Sequence, residues 1–188
     1  MNFDLNRSLK QLRPERRTAQ LTRRPDEMLP FVLDRPGNGP ALLLDTCVYI
    51  DILQRHAPAG VEDLVVKRRT NHSAIALAEL THLFGRLDPR DRRTEGVLAE
   101  IRGAIFDMSP HRLSAPSVRT MGEAGILAGL AARLGSIESG REQALLNDAV
   151  LYLQAIEQGQ VLLTRNIREF DWFDQLLPSG RVLFYRQT

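Results

Sequence analysis

The sequence has a single cysteine, Cys47, among 188 residues. It can form no internal disulfide and there is no thiol cluster to hold zinc, which fits a reducing compartment. The four histidines, His56, His72, His82 and His111, show none of the paired spacings of a metal site. No apolar run approaches the length of a membrane span. Residues 1–17 are basic but lead into no apolar stretch and no small-residue cleavage site. A secretory signal is therefore not expected, and a cytoplasmic location is. Charge of one sign is also scarce, because 25 Lys and Arg against 23 Asp and Glu leave a formal +2. That balance permits nucleic-acid binding without demanding it. Aromatic residues make up only 6% and form no cluster suited to base stacking. Trp172 and Phe173 read as core or dimer contacts.

What is present suits a globular fold. A hydrophobic content of 43% supports a real core, and 26% charged residues is ordinary. The length fits one domain plus an extension. Residues 1–40 form that extension and hold five of the ten prolines. They end in Arg35-Pro36-Gly37-Asn38-Gly39-Pro40, which reads as a turn or linker. Within them Leu5, Leu9 and Leu12 recur at i, i+4 and i+7, which predicts a short amphipathic helix with a basic outer face. Too short to be stable alone, it must dock on the domain, on a second copy or on nucleic acid.

From residue 41 to 188 the pattern is regular. A continuous apolar run predicts a strand over 41–44, and further strands are predicted over 72–75, where the chain leads directly into a helix, 161–164 and 181–185. Helical spacing predicts helices over 48–54, 61–69, 76–86, 92–106, 116–134 and 142–158, with a short one from about Ile167. Gly159 is placed as the residue that ends the penultimate helix. Alternation of this kind predicts an α/β fold, a three-layer α/β/α sandwich with a mostly parallel sheet.

Several acids stand where lone acids are awkward. Asp45 follows the first strand directly, at the carboxyl end where open parallel sheets form sites. It also suits a helix N-cap, a role Thr46 can fill as well. Glu79 lies beside the buried stripe of its helix, next to Ala76 and Leu83. Asp148 sits in Leu145-Leu146-Asn147-Asp148-Ala149-Val150-Leu151, and its nearest upstream arginine, Arg141, is seven residues away. A carboxylate so placed needs a metal or a distant cation. After the third strand come Thr164, Arg165 and Asn166, then Arg168, Glu169 and Asp171. Thr164 and Asn166 offer oxygens to a metal-bound water or a phosphate, or else form a capping turn. Packed together the acids repel one another. A hard divalent cation with oxygen ligands, Mg²⁺ or Mn²⁺, removes that repulsion. His82 lies three residues from Glu79 and reads better as helix surface than as a neighbour of a site.

Leu43-Leu44-Asp45-Thr46-Cys47-Val48-Tyr49-Ile50-Asp51 resembles the opening motif of PIN-domain nucleases. Ser73-Ala74-Ile75-Ala76-Leu77-Ala78-Glu79-Leu80 is similar to their second motif. Asn147-Asp148-Ala149-Val150 and the run from Gln158 to Asn166 resemble the third and fourth. The order agrees over roughly residues 41–185, and the Thr-Arg-Asn ending most resembles the VapC toxins of bacterial toxin–antitoxin pairs. The resemblance implies a PIN-like fold and a Mg²⁺- or Mn²⁺-dependent endoribonuclease with Asp45, Glu79 and Asp148 as metal-binding acids. It also implies a homodimer and a small antitoxin whose tail fills the active-site groove. Asn166 falls where many PIN domains carry a fourth Asp, and Glu169 is the candidate to replace it. Thr164 would position the metal-bound water or scissile phosphate, and Arg165 and Arg168 would contact the RNA backbone. The alternatives are a catalytically silent PIN-like module binding RNA or protein, and a PIN nuclease of RNA processing. A haloacid-dehalogenase-like phosphohydrolase would need an Asp where this chain has Cys47.

Overall fold

A computed structural model describes residues 3–32, 38–138 and 140–188. Arg35, Pro36 and Gly37 of the predicted linker tract lie outside the described residues. Among those described, five strands form one sheet, β1 (Leu42–Leu44), β2 (Thr70–Ser73), β3 (Leu113–Ser114), β4 (Val161–Thr164) and β5 (Val182–Phe184). Their order is β3-β2-β1-β4-β5 and every pairing is parallel. The described residues also form eight α-helices around the sheet: α1 (Leu5–Leu12), α2 (Thr46–Leu53), α3 (Ala59–Lys67), α4 (Ala74–Arg86), α5 (Thr94–Phe106), α6 (Val118–Gly135), α7 (Glu142–Glu157) and α8 (Ile167–Leu176).

The apolar strands alternate between two cores, as buried parallel strands must. Leu43, Leu162, Val182 and Phe184 face residues of α1, α6, α7 and α8. Leu42, Leu44, Leu163 and Leu183 face residues of α2, α3, α4 and α5. This is the expected α/β/α sandwich, with the sheet parallel throughout. β2 runs two residues earlier than its sequence pattern suggests, and β3 was not foreseen. Both strands are polar or short, so the apolar pattern marks them poorly. Gly159 does end α7, with φ at +67°, where a side chain would be strained.

The extension docks on the domain. Asp4 caps α1 by accepting from the Arg7 amide. Leu12 and Leu29 enter the core shared with α6 and α7. Ser8 donates to buried Glu123 on α6, and the Phe184 amide of β5 donates to the Pro30 carbonyl. Gly135 at the end of α6 lets Trp172 lie against its backbone, where a Cβ would come within 2.5 Å of the ring. Trp172 and Phe173 are therefore core residues of this chain.

Candidate active site

Strand order reverses direction between β1 and β4, since β2 and β3 lie to one side of β1 and β4 and β5 to the other. Such a switch point opens a crevice at the carboxyl ends of the two strands. Asp45 leaves β1 there and Thr164 ends β4 there. The resulting cleft, of about 650 Å³, is lined by Asp45, Glu79, Asp148, Asn166 and Glu169 together with Arg141, Arg165 and Arg168. Four elements thus bring to one place acids that the sequence spreads over more than a hundred positions.

Each acid is clamped. Asp45 begins α2 but makes no side-chain capping bond. Its Oδ2 instead accepts from the Thr164 hydroxyl at 2.6 Å and from the Cys47 thiol at 3.1 Å. Glu79 accepts from Thr46 through Oε2 and from the Asn147 amide through Oε1. Asp148 accepts from the Asn166 side-chain amide at 2.9 Å. Held this way, no three His, Cys, Asp or Glu side chains among the described residues converge tightly enough to grip an ion as they stand. Thr164 is wholly buried and does not line the cleft. It steadies Asp45 rather than facing a phosphate.

The acids of the cleft are under electrostatic strain. Burial pushes the Asp45 carboxyl above its ordinary range, against the lowering bonds from Thr164 and Cys47, and the Glu79 charge adds to the rise. Asp148 keeps part of its surface open to the cleft, yet crowding by protein atoms raises it well above the usual value. The charges of Asp45, Glu169 and Glu79 raise it further, and Arg141 offsets only part. A donor set of carboxylate and amide oxygens under mutual repulsion fits a hard divalent cation.

That strain has a measurable consequence. A carboxyl raised in the folded state binds its proton more readily than in the unfolded chain. Its contribution is complete below the ordinary carboxylate range and is lost as pH rises through the raised value. In the absence of divalent ions, Asp148→Asn is expected to stabilise the protein at neutral pH by about 1–3 kcal/mol. The advantage should shrink as pH falls toward the ordinary range. Thermal melts in EDTA across pH check this, and equal melting of both proteins at neutral pH would contradict it.

The remaining candidates fall in different places. Glu169 lines the cleft but is paired with Arg168 at 2.7 Å, and Arg141 approaches it at 3.9 Å. Arg168 also lies over the Trp172 ring at 5.3 Å. Arg165 stands on the cleft wall, ion-paired with Asp51. Asp171 is not a site residue: it is fully buried and bound by Arg24 of the extension. His82 is exposed. Two further clusters of basic residues in the sequence, Lys67-Arg68-Arg69 and Arg86 to Arg93, do not line the cleft. Arg68 bonds the Pro40 carbonyl, and Arg90 and Arg93 pair with Asp88 and Asp91. Sequence reasoning passed over Asn147, Arg141 and Asp51 as separate contributors. A second, apolar pocket of about 400 Å³ beside Phe31 and Val61 contains one acid, Asp26. That acid is taken by Arg23 and Arg186.

Fold and cleft together define an all-parallel α/β sandwich with a group of acids at the switch point of its sheet. No protein-family model matches the sequence, and no curated relative does. Solved structures do match. A chain of VapBC2 from Rickettsia felis, bound to a DNA fragment from its promoter, superposes with a TM-score of 0.53 at 20% identity, covering 76% of this chain and 96% of that one. A chain of DNA-bound VapBC from Salmonella typhimurium gives 0.53 at 22% identity, over 77% and 97%. FitAcB from Neisseria gonorrhoeae gives 0.53 at 20%, over 77% and 96%. The fold is therefore shared with the matched chains of VapBC and FitAcB. No helix among the described residues is long and apolar enough to cross a membrane.

Proposed function

We propose that this chain is a Mg²⁺- or Mn²⁺-dependent endoribonuclease and the toxin of a toxin–antitoxin pair. The observation that carries the reading is the meeting of Asp45, Glu79 and Asp148 at the switch point of a VapC-like fold. Asp45 and Asp148, with help from Glu79, would hold the ion. When bound, the ion lowers the pKa of a water for attack on the phosphodiester and offsets charge on the leaving oxygen. The chain's own residues do the rest. Thr164 and Cys47 fix the Asp45 carboxylate, and Asn166 orients Asp148. Thr46 and Asn147 hold Glu79 in its rotamer. Arg165, Arg168 and Arg141 ring the cleft with positive charge for the RNA backbone, which makes affinity salt-dependent. A small antitoxin that covers the cleft, a homodimeric assembly and a cytoplasmic location belong to the same proposal.

The test is incubation of the purified protein with labelled single-stranded RNA and DNA, with Mg²⁺, with Mn²⁺ and with EDTA. Cleavage of RNA that requires the metal is expected. Absence of cleavage across several RNAs would favour the silent binding module. Arrest of growth on expression, relieved by the product of an adjacent small reading frame, is expected of a toxin. Cleavage without growth arrest would favour a role in RNA processing.

A further inference from the structure

One buried acid near the cleft is outside the metal-binding cluster. Asp51 lies on α2 with no exposed surface and does not line the cleft. Its Oδ2 accepts from the Arg165 Nε at 2.7 Å and from the Tyr185 hydroxyl at 2.7 Å. Its Oδ1 accepts from the Gln187 side-chain amide at 2.8 Å. A buried carboxylate satisfied by three donors, two of them from the segment that follows β5, is a fixed point. Of these partners Arg165 is the one that lines the cleft, with a side chain 40% exposed. The Arg165 amide donates to Cys47 Sγ, whose thiol bonds Asp45. The side chain is thus anchored both at its base and at Nε. Among the described residues its two terminal guanidinium nitrogens have no hydrogen-bond partner. An arginine held by Nε keeps that pair free as a planar fork, the shape that grips a phosphate through two parallel bonds.

We propose that Asp51 is a positioning residue, which aims the free fork of Arg165 at a backbone phosphate of single-stranded RNA beside Asp45. This rests on the nuclease reading, but it concerns binding and can be measured without catalysis. The probe is a fluorescein-labelled single-stranded RNA oligonucleotide, titrated by anisotropy in EDTA at several salt concentrations. Asp51→Asn and Arg165→Ala are each expected to weaken binding about tenfold, the order of one charge-assisted bond. Each should also flatten the log–log salt dependence by about 0.7. In the Arg165→Ala background, Asp51→Asn is expected to add nothing. A purely structural Asp51 would instead add its full loss there, and that result, or unchanged binding by Asp51→Asn, overturns the proposal. Should Asp51→Asn fail to fold, Arg165→Lys decides. A single ammonium cannot both pair with Asp51 and reach a phosphate, so it should bind several-fold more weakly, and wild-type affinity would overturn the proposal. Wild-type protein that binds the RNA in EDTA yet does not cleave it when Mg²⁺ or Mn²⁺ is added refutes the nuclease reading alone; wild-type protein that cleaves with metal but does not bind the RNA in EDTA overturns this proposal alone.

Discussion

Asp45→Asn is expected to lower metal-dependent RNA cleavage by at least about 10³-fold while leaving the fold intact. The size follows from what one acid contributes. A bound divalent ion supplies several kcal/mol of charge stabilisation, and each 1.36 kcal/mol is a factor of about ten. An amide keeps the shape of the Asp45 side chain, and its oxygen can still accept from Thr164 and Cys47. What it removes is the negative charge at the head of the crevice. Asp148→Asn should fall to a similar level. Thr164→Val should cost less, about 10–100-fold, because Thr164 acts indirectly, through Asp45 and through the Asn166 amide from which its hydroxyl accepts. Single-turnover cleavage at saturating metal, with thermal melts as the folding control, separates these outcomes. An Asp45→Asn protein that cleaves at the wild-type rate would remove Asp45 from the site.

Much of this arrangement was legible in the chain, and where it was not, the reason is physical. β1 and β4 announce themselves because strands buried on both faces must be apolar throughout. β2, with the sequence Thr-Asn-His-Ser, lies nearer the sheet edge and is only half-buried along most of its length, so periodicity could not fix its register. Asp148 stood out as an acid among Leu, Ala and Val. Asp51 sits among Tyr49, Ile50, Ile52 and Leu53 and meets the same criterion, but its partners are Arg165 and the segment after β5, more than a hundred residues away. An acid in an apolar helix therefore signals that a compensating group exists without saying whether that group is a metal, as proposed for Asp148, or an arginine, as found for Asp51. Thr164 shows the complementary limit. Its position at a strand's carboxyl end was readable, but whether its hydroxyl turned to the cleft or to Asp45 depended on side-chain packing. Asp171 and Glu169 lie two residues apart on α8, so they point to different sides of the helix. One faces the cleft and the other faces the extension.

The contact between Asp171 and the extension carries the largest expected effect on stability. Arg24 reaches Asp171 through both its backbone amide, at 2.7 Å, and its Nε, at 2.5 Å, and reaches Asp174 through a terminal nitrogen at 2.8 Å. Asp171 has no exposed surface. Removing the guanidinium leaves a buried carboxylate whose remaining donors are neutral, the Arg24 amide and the Gln175 side chain. Breaking a buried pair from one side costs about 3–5 kcal/mol, because the remaining charge is uncompensated. For a chain of this size that lowers Tm by about 6–20 °C. Asp174 should tolerate the loss better, since it also accepts from Tyr152 and from the Ser179 amide. Arg24→Ala is therefore expected to melt early and to expose residues 3–32 to limited proteolysis, while the acids of the cleft stay in place. Combining it with Asp171→Asn removes the orphaned charge and should recover a substantial part of the loss. An Arg24→Ala protein within about 0.5 kcal/mol of wild type, the range of an ordinary surface substitution, would show that the pair does not fasten the extension. A double variant no more stable than Arg24→Ala would show that the extension is held by Leu12, Leu29 and the backbone bonds, not by the buried charge.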